Sequence, residues 1–169
     1  MPIVAADITY QLSGGAANDD PNASLGGVIS AEEVVDAALH NLFDKVSGDE
    51  SAAGDVEYRC IYIKNNHGTL TMQGAKVWIQ SPSANTDSAE AIGLGSSAVS
   101  ATEQTVANES AAPGSVTFSA AASEANALAI GDIPAGGHKA VWIRRTISAA
   151  ASAANNVSMT IRTKCETAA

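Results

Sequence analysis

The run Val56-Glu57-Tyr58-Arg59-Cys60-Ile61-Tyr62-Ile63-Lys64 constrains this chain more than any other stretch. β-Branched and aromatic side chains fill it, and they alternate with polar ones. A period of two sends successive side chains to opposite faces of a strand. Asn65-Asn66-His67-Gly68 closes the run as a turn, because Asn and Gly tolerate positive φ. Met72 to Gln80 resumes the alternation, with Ala75, Val77 and Ile79 on one face and Lys76, Trp78 and Gln80 on the other. The two runs predict a pair of adjacent antiparallel strands.

The same periodicity recurs elsewhere. Val4, Ala6, Ile8, Tyr10 and Leu12 alternate with polar or small residues, which predicts a first strand. Leu128 to Ile133, Lys139 to Ile147 across a Pro134-Ala135-Gly136-Gly137 turn, and Val157 to Cys165 predict three more. Weaker strands fit Ala89–Leu94 and Val116–Ala120. About seven short strands separated by turn signals predict an antiparallel, immunoglobulin-like β-sandwich rather than a parallel sheet. One short helix is predicted over 31–46: Ser30-Ala31-Glu32-Glu33 fits a capping box, and Val35, Leu39, Leu42, Phe43 and Val46 follow at helical spacing. An extended alternative stays open there. The chain reads as one domain overall, with residues 1–55 as an N-terminal strand, loop and arm and residues 56–169 as the sandwich.

Composition limits what such a domain can do. The chain has 169 residues, enough for one core, and 46% of them are hydrophobic although only 4% are aromatic. The core is therefore thin, and the Ala- and Ser-rich stretches around 96–126 and 148–156 predict mobile loops unless neighbours hold them. Asp and Glu number 18 against 9 Lys and Arg, a formal net charge of -9. That excess repels phosphate, and the basic residues cluster only at Arg144-Arg145 and Arg162 with Lys164, so nucleic acid is not an expected partner. No run has transmembrane length, so no membrane partner is expected either. Met1-Pro2-Ile3 opens without the features of an export leader, so synthesis in a cytoplasm without an export signal is expected. Cys60 and Cys165 are accordingly expected to be reduced and buried.

Motifs for chemistry are sparse. His40, His67 and His138 stand apart, and no HExxH or Cys/His zinc spacing occurs. Neither Ser13-Gly14-Gly15 nor Gly93-Leu94-Gly95 has the context of a phosphate loop, and both read as turns. Asn18-Asp19-Asp20-Pro21-Asn22 concentrates oxygen ligands but lacks the DxDxDG register and a distal Glu, so an Asx-turn loop is expected over a calcium site. No catalytic, cofactor-binding or metal-binding residue is nominated, no cofactor is expected, and the expectation is that the chain is not an enzyme.

Ile61-Tyr62-Ile63-Lys64-Asn65, then Leu70 to Ile79, then Asp132-Ile133-Pro134-Ala135-Gly136-Gly137-His138-Lys139 follow in an order that resembles the immunoglobulin-like sandwiches of bacterial adhesion-related proteins. The resemblance covers about two thirds of the chain and speaks to fold, since such sandwiches host many functions. With Leu12-Ser13-Gly14-Gly15-Ala16-Ala17-Asn18 and Glu57-Tyr58-Arg59-Cys60-Ile61-Tyr62 included, the whole chain is similar to small structural proteins of tailed bacteriophages. This second resemblance implies a virion component, a capsid decoration or cement protein bridging shell subunits, with a tail, neck or baseplate part as the alternative. Its expected partners are a major capsid protein or tail subunits and copies of itself.

Residues 1–55 fall outside the sandwich motif, which nominates Ile3, Ile8, Tyr10, Leu12, Leu25, Leu42 and Phe43 as contact residues. Their removal is expected to leave a soluble fold that no longer binds particles. A carbohydrate-binding adhesion module is a further alternative; it needs an exposed aromatic platform, which Trp78 or Trp142 could supply. Burial of both tryptophans is the expectation.

Overall fold

A computed structural model describes residues 1–167. The chain is mainly β and forms two antiparallel sheets stacked as a sandwich. In chain order the strands are β1 (Ile8–Ser13), β2 (Ile29–Glu33), β3 (Asp55–Asn65), β4 (Met72–Ser81), β5 (Ser88–Leu94), β6 (Leu128–Ile133), β7 (His138–Ile147) and β8 (Thr160–Thr167). Five of them form one sheet in the order β2-β1-β3-β7-β5, and three form the other in the order β6-β4-β8.

The alternation along β3 has a direct physical meaning. Ile61 and Ile63 enter the core shared with the three-stranded sheet, where they join Met72, Val77, Ile79, Val141 and Ile143. Cys60 and Tyr62 point the other way and pack with Ala140 and Trp142. That second cluster is covered by irregular chain carrying Leu25, Val106, Ala111, Val116 and Phe118. The five-stranded sheet is thus buried on both faces, by a second sheet on one side and by ordered loops on the other. At about 1.5–3 kcal/mol for each large apolar side chain removed from water, both layers count toward stability.

Three expectations need correction. The runs 56–64 and 72–80 are both strands, but they do not pair. β3 is flanked by β1, from Ile8↔Asn65 to Leu12↔Ile61, and by β7, from Asp55↔Ile147 to Lys64↔His138. With both edges of β3 taken, β4 crosses to the other sheet.

The helix expected over 31–46 is absent. Ile29–Glu33 is β2, paired to β1 through Gln11↔Glu33 and Ser13↔Ile29. The Ser30 hydroxyl donates to the Asn18 carbonyl and accepts from the Glu32 N–H, so it caps nothing. Residues 34–46 are irregular, and Ala37 and His40, both at φ 57, break any helical path. The α-helix of the described residues is α1 (Gly48–Ala53), where the residue pattern suggests a polar linker. Ser47 starts it with a reciprocal capping box: the Glu50 N–H donates to Ser47 Oγ, and the Ser47 N–H donates to the Glu50 carboxylate.

Residues 116–120 form no strand; they lie against β5 at Gly93 and bridge to it at Ile92↔Ser119. Residues 1–55, expected as an N-terminal strand, loop and arm, contribute β1 and β2 to the larger sheet. β1 lies inside the larger sheet between β2 and β3, because the Tyr10 and Leu12 side chains need that interior. The sandwich itself, expected over 56–169, is described to residue 167; residues 168–169 lie outside the described part.

Candidate functional site

The inward row of β3 begins with charge. Glu57 and Arg59 lie on the same face as Ile61 and Ile63, and they are 1% and 0% exposed. Isolated ions at such depth are costly, so each needs a partner. Arg145, directly across from Glu57 on β7, donates through Nε to the Glu57 carboxylate. Its Nη1 donates to the Asp44 carbonyl at 3.0 Å, and its Nη2 lies 3.7 Å from the Asp44 carboxylate. Arg59 pairs through Nη2 with Glu109 and donates through Nη1 to the Tyr58 carbonyl at 3.2 Å. The Phe43 ring packs against both guanidiniums, 4.7 Å from that of Arg145 and 5.6 Å from that of Arg59. Burial raises the pKa of Glu57, against the pull of its bond to Arg145.

Asp44, Glu57 and Glu109 place carboxylate oxygens within 4.8 Å of one another, the spacing a metal ion would use. The chemistry of the set opposes that use. Two guanidiniums already stand among the three carboxylates, so an added divalent cation would face two positive charges at short range. The cluster fits an ion-pair plug, in which Leu42, Phe43 and Asp44 fasten the irregular segment 34–46 to the sandwich.

A second polar centre holds the loops on the outer face of the larger sheet. Glu103 is buried, and its carboxylate accepts from Ser96 N–H at 3.2 Å, Ser97 N–H at 2.9 Å, Ser96 Oγ at 3.0 Å, Ser97 Oγ at 2.7 Å and Gln104 Nε2 at 3.2 Å. Burial pushes its pKa up, but these donors outweigh burial and hold it at about 2. The Glu103 N–H donates to the Tyr62 hydroxyl at 2.9 Å, and that hydroxyl donates to the Gly27 carbonyl. Lys139 adds bonds to the carbonyls of Gly95 and Ser97. The Glu103 carboxylate thus closes the 95–104 loop on itself, and the Glu103 backbone joins that loop to Tyr62 of β3 and to Gly27.

The nominated contact residues fall mostly inward. Leu12 and Leu42 are core members, Ile3, Ile8, Tyr10 and Phe43 pack against that core half-buried, and Leu25 packs under the outer-face cluster. Their apolar surface is largely used within the chain. Trp78 is 5% exposed and Trp142 is 0% exposed, so neither offers an aromatic platform. Asn18 and Asp20 make Asx turns, accepting from Asp20 N–H at 3.1 Å and Asn22 N–H at 2.9 Å. His67 accepts turn N–H groups through Nδ1, His138 packs edge-on against Tyr62, and His40 is exposed.

Both cysteines are free; Cys60 is buried and Cys165 half-buried. A shallow groove of roughly 330 Å³ between 83–85 and 154–158 is lined by Ser, Ala, Asn and Val alone. Sequence reasoning missed Arg59, Glu109 and Glu103. Arg59 carried a signal, a charge in the row that continues into Ile61 and Ile63; Glu103 and Glu109 sat in polar loops with none.

No helix among the described residues is long and apolar enough to cross a membrane. No family model matches the chain, and no curated protein or solved structure matches it either.

Proposed function

We propose that the chain is a structural component of a tailed-phage virion, acting through its surfaces and not as an enzyme. The reading begins from the sequence resemblance to such proteins. The observation that carries it is how the buried ionisable groups are used: Arg145 holds Asp44, Arg59 holds Glu109, and the Glu103 backbone bonds to Tyr62, each fastening irregular chain onto the sandwich. The result is a small framework wearing fixed loops, suited to repeated contact with neighbours. Within that class we favour a capsid decoration protein that lies across joints between shell subunits and adds buried area there. A tail, neck or baseplate part is the second reading, since a sandwich alone does not select a position.

Immunogold labelling of purified particles with antibodies to the chain separates these readings. Label spread over the capsid supports decoration, and label confined to the tail or neck supports the second reading. Particles without label would remove both.

A further inference from the structure

The outer edge of β8 is the longest regular strand edge without a strand partner among the described residues. β8 spans eight residues and pairs with β4 alone. No backbone–backbone bond joins it to any other described segment; the Tyr10 hydroxyl reaches Thr163 and the Ile3 N–H donates to the Thr167 hydroxyl, both from the inward side. The other edges are shorter or interrupted. Ser119 closes β5 by exchanging both backbone bonds with Ile92, β2 spans five residues, and β6 carries Gly131 at φ 90 beside a register shift.

Open edges are normally blunted by proline, bulges or a row of like charge. β8 has no proline or glycine, and its exposed row reads Thr160, Arg162, Lys164, Glu166, with both signs present. Its inward row, Ile161, Thr163, Cys165 and Thr167, is uncharged and only half-buried, whereas Ala75, Val77 and Ile79 of the adjoining β4 are fully buried. The core is therefore unfinished on this side.

We propose that β8 is a self-association edge, on which a second copy of this chain lays its own β8 antiparallel about a twofold axis at Lys164. In that register Arg162 faces Glu166 of the second copy, and Glu166 faces the second copy's Arg162. The inward row is matched as well, with Ile161 opposite Thr167 and Thr163 opposite Cys165. The two Lys164 side chains meet at the axis, but each ammonium already donates to Glu124 at 2.7 Å, which offsets their repulsion. An arginine fork on a carboxylate is the stronger of the available cross-strand pairs. The two three-stranded sheets become one continuous sheet, and the contact closes with the commonest symmetry of homo-oligomers. The proposal stands on β8 itself and not on the virion reading, so either can fail without the other.

Sedimentation equilibrium of the full chain tests it, with Arg162→Glu, Glu166→Arg and the double swap compared against wild type. A wild-type dimer is expected. Each single reversal sets like charges face to face twice and weakens association by about tenfold or more. The double swap exchanges the partners and restores it, which a merely misfolded variant would not do. A wild-type chain that stays monomeric at roughly 100 μM, a concentration well above that needed for a micromolar contact, overturns the proposal. So does a dimer indifferent to the reversals, or one that the double swap fails to rescue.

Discussion

The Phe43 ring lies 4.7 Å from the Arg145 guanidinium, and this contact fastens the irregular segment 34–46 to the end of the sandwich. Phe43 also touches the fully buried Arg59, so one ring covers two cations that would otherwise meet water or each other. Phe43→Ala is expected to cost about 2–4 kcal/mol, below the roughly 3–5 kcal/mol of a fully buried ring because Phe43 is half-buried. Urea denaturation measures the loss, and hydrogen exchange should show the 34–46 amides freed first.

Glu103 gives the fold an acid limit. Its folded pKa of about 2 lies below the ordinary value of 4.5, so its stabilising contribution is complete above pH 4.5. That contribution disappears as pH falls from 4.5 toward 2, because protonation removes an acceptor from five donors. Glu103→Gln replaces one acceptor oxygen with a donor that faces other donors. It is expected to lower stability by about 1–3 kcal/mol at neutral pH and to flatten the decline between pH 4.5 and 2. Unfolding midpoints measured across that range check both effects.

Gly26 marks the closest approach between the loop at 24–27 and the 95–104 loop. It sits at φ 93, and a Cβ there would stand 1.9 Å from the Gln104 carbonyl oxygen. Gly26→Ala is therefore expected to cost about 2 kcal/mol or more, from backbone strain and overlap together. The thermal midpoint should fall accordingly, whereas Gly68→Ala, with open space around its Cβ position, should leave it nearly unchanged.

Removing residues 1–55 takes away β1 and β2, strips one edge of β3 and uncovers Ile61 and Ile63. The truncated chain is expected to be insoluble or molten, contrary to what the sequence pattern alone suggests. Circular dichroism and solubility on expression decide the point. A truncated chain that melts cooperatively would show that the first strand is dispensable.

Strong alternation makes β3, β4, β6 and β7 legible in the residues alone, because a strand writes its two faces directly into the order of its side chains. Pairing is not legible in the same way: nothing in Met72–Ser81 says that β7 claims the second edge of β3. Ser30 to Glu33 misleads for a physical reason, since the spacing that caps a helix also suits a short edge strand bearing charge. The real helix, Gly48–Ala53, has no apolar face and shows only in the Ser47 and Glu50 pair. The polar centres are the least legible. Arg59 and Glu103 are buried by partners more than 40 positions away or in featureless loops, as Glu109 and Tyr62 illustrate.

Whether this chain is a building part of a phage particle is tested most directly by quantitative mass spectrometry of density-banded, nuclease-treated particles from its source. The predicted result is the chain in the particle band at a fixed ratio to the major shell or tail subunit, unchanged on rebanding. Recovery of the chain solely in the soluble fraction, with none in the particles, would contradict it.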